Sequence, residues 1–214
     1  MLAVGSLALT GCGQKNQSNP NAGKGGGTTS KSAPLQDLNI KSRDEIKDGG
    51  TVRFSIETLP PTWNALHIDG DTVDLSTTIM GFVGANNFDI AEDGTPKPDT
   101  DYLQSYDVQT NGGKQVVTLH LNPKARWNSG RTIDYTDYQA TWKANNGANE
   151  DFKMASSDGF NQIESVRKGD KDTDVVITYK ATYPDWTATW SSVMPKEGVG
   201  TPETFNNGWK QFKP

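Results

Sequence analysis

The side chains able to do chemistry are few. The 214 residues hold one cysteine, Cys12, and two histidines, His67 and His120. A single thiol excludes a disulfide framework and a thiolate zinc site. Two isolated imidazoles leave little for general-base catalysis or metal binding. Asp89, Glu92 and Asp93, or Asp99 and Asp101, lie close enough along the chain to be weighed as acid–base pairs, but their polar surroundings read as solvated turns. Asp69-Gly70-Asp71 has the acidic start of a calcium loop without the twelve-residue frame and terminal Glu. There is no Gly-x-Ser-x-Gly elbow, and Gly23-Lys24-Gly25-Gly26-Gly27 lacks the preceding strand and the Gly-Lys-Ser/Thr ending of a phosphate loop. Asp and Glu number 26 against 21 Lys and Arg, a net charge of -5, which gives no phosphate-neutralising surface. Nucleic acid is therefore not an expected partner. No cofactor, metal or catalytic residue is expected, and the counts favour binding over catalysis.

The one thiol has a telling position. Residues 1–9 are apolar or small throughout, and at about 1.5 Å per residue they span under half of a ~30 Å hydrocarbon core. That suits the apolar part of a secretory signal, although the usual cationic start is absent and Met1 runs straight into the apolar stretch. The run ends in Leu9-Thr10-Gly11-Cys12, which resembles the bacterial lipobox. The resemblance implies that Cys12 is acylated after signal removal, and at ~0.8 kcal/mol per buried methylene such an anchor is effectively permanent. The expected location is the extracytoplasmic face of the cell membrane. Residues 13–34 then contain no Val, Ile, Leu, Met, Phe, Trp or Tyr. They cannot form a core, which accounts for the low apolar share of 33%. Residues 13–48 read as a polar tether with a reach of ~35 Å.

The elements that must carry a site begin at Gly49-Gly50. Val52, Phe54 and Ile56 alternate with Arg53, Ser55 and Glu57, predicting a strand that Pro60-Pro61 ends. Asp71 or Thr72 can cap a helix with Leu75, Ile79, Phe82 and Val83 on one stripe. Asn111-Gly112 marks a hairpin whose second strand carries Val117, Leu119 and Leu121 on one face. Asp134, with Asp137 three residues on, caps a helix bearing Tyr138 and Trp142. A second hairpin pairs residues 163–166 with Val175, Ile177 and Tyr179 across Gly169-Asp170, and Pro184 starts a short helix with Trp186 and Trp190. The order strand, helix, hairpin, helix, hairpin, helix is α+β, a mixed sheet with hairpins and flanking helices.

Residues 119–138 carry a family resemblance. Arg126-Trp127-Asn128-Ser129-Gly130 and Asp134-Tyr135-Thr136-Asp137-Tyr138, following the alternating strand that ends in Leu119-His120-Leu121, resemble the signature of family 5 extracellular solute-binding proteins. These are the oligopeptide-, dipeptide- and nickel-binding components of ABC importers. Gly49-Gly50-Thr51-Val52 is similar to the family's first strand, and the hairpin at 163–179 followed by Tyr183-Pro184 fits its order. Trp63-Asn64 stands where the family usually has Asp-Pro. The resemblance covers roughly residues 49–195. It implies a periplasmic-binding-protein-like class II lobe that is incomplete, with residues 49–214 as its amino-terminal portion and a second lobe absent. It also implies a substrate-binding lipoprotein that captures oligopeptides or a similar small solute and passes it to ABC permease subunits. The alternative is an extracellular carbohydrate-binding or glycoside-hydrolysing lipoprotein that exposes tryptophans. Within the family frame, His67 and Asp69 fall where members offer groups to an extended peptide, and Phe152 and Met154 where an aromatic lies over the ligand. Trp127 reads as a residue that pins its loop, Trp142, Trp186 and Trp190 as core, and His120 as a solvated strand face.

Overall fold

A computed structural model describes Asn39 and residues 41–210. Cys12 and residues 1–38 of the expected signal and tether lie outside the described residues.

The segment from Gly49 to Pro60 joins no strand ladder among the described residues, and Val52 and Phe54 are 77% and 58% exposed. The expected strand is therefore corrected to a segment with no strand pairing among the described residues. Alternation gives a chain two faces, but a strand also needs a neighbour for its backbone groups. The segment is held to the helix that follows. The Phe54 and Phe82 rings lie 4.9 Å apart, and the Glu57 and Thr58 amides donate to Asp74 Oδ2 at 3.0 and 3.3 Å. That helix, α1, opens with a π-wound stretch at Asp74–Ile79 and closes with an α turn at Met80–Val83. Thr72 Oγ1 accepts the Leu75 amide at 3.3 Å, the capping role expected of it. Leu75 is fully buried, whereas Phe82 and Val83 are exposed and not on a buried stripe. Helical spacing marks an apolar face but does not say what covers it.

Short strands β1 (Ala85–Asn86), β2 (Phe88–Ile90) and β3 (Pro96–Pro98) lead to the first long hairpin, β4 (Leu103–Asn111) and β5 (Lys114–Leu121). Its two central residues are Gly112 and Gly113, with φ of 57° and 80°, and Asn111 pairs with Lys114. The turn thus sits one residue later than expected, because a two-residue hairpin loop of this kind needs positive φ at both centres. Helix α2 (Tyr135–Asn145) follows, then β6 (Ile163–Lys168), β7 (Asp174–Tyr179), α3 (Trp186–Thr189), β8 (Ser192–Val193), α4 (Lys196–Val199) and α5 (Pro202–Asn207). Strands β4, β5, β7 and β6 form one antiparallel sheet in that order, with Val117 opposite Ile177 and Ile177 opposite Val166. β1 pairs with β8, and β2 with β3.

The inner face of the large sheet is apolar because residues two apart share a face. Val117, Leu119, Val175, Ile177 and Tyr179 are fully buried. Above them sits Trp190, also fully buried, 5.3 Å from the Tyr138 ring of α2 and 5.5 Å, edge-on, from Phe160. Its indole N–H donates to Tyr179 Oη at 3.1 Å, and its carbonyl accepts Asn87 Nδ2 at 2.7 Å. Asn87 Oδ1 in turn accepts the Tyr138 hydroxyl at 2.6 Å. Burial raises the pKa of both phenols, so each stays a neutral partner. A second cluster, Ala144, Phe152, Met194, Val199 and Phe205, joins α2 to α4 and α5. We expect Trp190→Ala to cost about 3–5 kcal/mol in urea unfolding followed by circular dichroism. Trp190→Phe is expected to cost less, because it keeps most of the apolar volume and loses the bond to Tyr179.

Candidate functional site

The Trp127 loop leaves β5 and returns at once. Trp127 N donates to Arg131 O at 2.9 Å, Gly130 N donates to Trp127 O at 2.8 Å, and Gly130 adopts φ +84°. Asp134 caps α2 by accepting the Thr136 amide at 2.8 Å, and Asp137 returns the bond by accepting the Asp134 amide at 3.1 Å. The expected capping box is therefore present.

Asp137 does more than cap. Its fully buried carboxylate also accepts the Trp127 indole N–H at 3.1 Å, Arg131 Nη1 at 3.0 Å, Arg131 Nη2 at 2.5 Å and the Lys196 amide at 2.9 Å. A buried carboxylate is costly unless its lone pairs are filled, and here five donors fill them. Arg131 Nη2 continues to Glu197 at 2.7 Å. Hydrogen bonding to Asp137 raises the Arg131 pKa beyond its usual value despite burial. Burial pushes Glu197 up, but the bond from Arg131, its own backbone hydrogen bond and the Arg131 charge together outweigh it, and the net direction is down. One carboxylate thereby joins the loop, the start of α2 and the start of α4.

This rigid corner forms one wall of a groove of about 730 Å³. Ile79 and Met80 of α1 line it opposite Trp127, with Met194, Glu197 and Trp209 completing it. Trp209 is fixed by its indole N–H donating to Gly198 O at 2.8 Å. A side chain at position 198 would meet the Trp209 ring at 2.2 Å, so only glycine allows that approach. The walls offer indoles and apolar side chains beside the charged groups of Arg126, Arg131 and Glu197. Among the described residues, no three or more metal-ligating side chains stand together.

The structure brings together the residues singled out by the sequence at 67–69 and 152–154. His67 and Met154 face one another in an isolated antiparallel bridge, flanked by Ile68 N donating to Lys153 O and Ala155 N to Leu66 O, both at 2.9 Å. His67 is buried, its Nδ1 accepts the Asp69 amide at 3.0 Å, and burial lowers its pKa. Phe152 is also buried, edge-on to Phe205 at 5.4 Å, and the His67 ring is 6.0 Å from the same Phe205. Asp69 and Ile68 are exposed and Met154 is half-buried. Asp69 and Met154 thus reach the surface, while His67 and Phe152 brace them from below. His120 differs from the solvated residue expected. Its ring nitrogens lie 2.9 Å from Asp174 Oδ1 and 3.1 Å from Asp107 Oδ2. Sequence reasoning missed Glu197, Trp209 and the bond to Lys196, all far along the chain from the Trp127 loop. The only local signal was Asp137, read simply as a cap.

Part of this fold recurs in larger solved proteins. Three solved structures share it: a periplasmic EDTA-binding protein, EppA (TM-score 0.63, 22% identity, 69% of this chain and 28% of that one); the oligopeptide-binding protein AppA from Bacillus subtilis in complex with a nonapeptide (0.56, 18%, 69% and 28%); and NikZ from Campylobacter jejuni in complex with Ni(L-His) (0.53, 21%, 71% and 30%). In sequence, the chain is 33% identical over 213 residues to the oligopeptide-binding protein OppA of Mycobacterium tuberculosis and of Mycobacterium bovis. That match takes in 96% of this chain, which spans 35% of the length of those relatives. No family model matches the chain.

We expect Asp137→Asn to destabilise the protein by about 3–5 kcal/mol, because it removes the buried charge that holds Arg131 and leaves the new amide N–H facing donors. Glu197→Gln, at the exposed end of the network, is expected to cost about 1 kcal/mol or less. Equilibrium denaturation of both variants measures the contrast.

Proposed function

We propose that this chain supplies part of the substrate-binding component of an ABC importer, which captures peptides or similar small solutes outside the membrane and delivers them to permease subunits. The observation that carries this reading is the 33% identity to oligopeptide-binding proteins across nearly the whole chain. The solute is held and released without chemical change. In the proposed site, Asp69 and Met154 meet the solute at the strip formed by residues 66–70 and 152–155. His67 and Phe152, packed on Phe205, keep that strip from yielding. Main-chain groups of an extended peptide supply affinity, and bridging water lets side chains of varied size be accepted. A second lobe closes over the solute by hinge motion.

The chain is read as an incomplete lobe. Its span of 35% of the matched relatives supports that reading. Acylation at Cys12 would hold the protein at the membrane surface, with residues 13–48 as the tether.

The test is native mass spectrometry on the protein isolated from its own cells at the length its gene encodes. Short peptides should co-purify, and added peptide should alter tryptophan fluorescence. Cys12→Ser should move the protein out of the membrane fraction. Retention on polysaccharide, or glycoside turnover without peptide binding, would reject the importer reading.

A further inference from the structure

The outer face of the large sheet holds a cluster that plays no part in the groove or the strip. His120 on β5 lies between Asp107 of the edge strand β4 and Asp174 of β7. Both ring nitrogens face carboxylate oxygens, at 2.9 and 3.1 Å. Only an imidazolium can donate both bonds, since a neutral ring has one N–H. We propose that Asp107, His120 and Asp174 form a proton-operated clasp that ties β4 to β5 and β7 while His120 is charged and frees β4 when it is not.

The two acids are unequal. Asp174 has a side chain only 12% exposed and also accepts the Lys171 amide at 3.2 Å, in the turn that joins β6 to β7. The Asp107 side chain is 68% exposed and can be rehydrated at little cost. On losing a proton, His120 keeps its remaining N–H on buried Asp174. A lone pair then faces the Asp107 carboxylate, and Asp107 turns to water. The inner bond persists and the edge strand is released.

Two other cations stand on this side of the sheet. Lys114, at the far end of β5, pairs with Glu164 of β6, and Arg167 shares the outer face one strand beyond β7, opposite Val176. Bonding to Asp174, then to Asp107, raises the His120 pKa above its ordinary value, against the pull of burial. The folded chain therefore holds this proton more tightly than the unfolded chain. The clasp is fully formed below pH ~6.5 and is lost as pH rises through the raised value. An extracytoplasmic lobe meets such changes directly.

The experiment is residue-resolved NMR of the 214-residue chain, reading the His120 ring titration and the hydrogen-exchange protection of β4 amides. His120 should titrate above an ordinary imidazole, and β4 protection should fall roughly two- to fivefold as it deprotonates. Asp107→Asn should lower the His120 pKa and abolish that fall. His120→Gln should leave β4 protection independent of pH. The proposal is overturned if His120 titrates at or below the ordinary value, if β4 protection does not follow its titration, or if the fall persists in Asp107→Asn.

Discussion

A single buried carboxylate organises the most characteristic part of this chain. Asp137 closes the capping box of α2, and the same two oxygens take the Trp127 indole, both Arg131 terminal nitrogens and the Lys196 amide. Such an anion must be neutralised and fully bonded or it would not stay buried. The requirement fixes the loop after β5, the start of α2 and the entry to α4 relative to one another. The groove wall, with Trp127 on one side and Glu197 on the other, is a consequence of that constraint.

The same reasoning explains how Trp127, Arg131 and Asp137 act together. Arginine or tryptophan alone would decorate a loop. With an acid three residues into the following helix, they become donors to a common acceptor. The Gly130 turn brings Arg131 back beside Trp127, and both then reach Asp137. The aromatic layer around Trp190 works differently. There, burial supplies the energy, and the Asn87, Tyr138 and Tyr179 bonds satisfy the polar atoms that burial brings with it.

Local features of the fold were legible in the sequence. Both hairpins, the Asp134–Asp137 cap and the buried tryptophans Trp186 and Trp190 all rest on residues within a few positions of one another. Long-range features were not. Nothing near Asp137 points to Lys196, and nothing near Val52 says whether a partner strand lies beside it. His120 illustrates the same limit. Its alternation on β5 gave the correct outer face, but the two acids that clamp it come from other strands at positions 107 and 174. At the candidate solute strip, the sequence named two segments that pair through His67 and Met154, while their shared support, Phe205, lies some fifty residues beyond Phe152 and Met154.

A double-mutant cycle between Asp137 and Arg131 tests the central claim most directly. Unfolding free energies are compared for Asp137→Asn, Arg131→Met and the pair. If the carboxylate and guanidinium stabilise the corner jointly, the double variant will be more stable than the sum of the single losses predicts, with a coupling of about 2 kcal/mol or more. Additivity within about 0.5 kcal/mol would mean that the two groups act independently, and the account of Asp137 as the organising anion would be wrong.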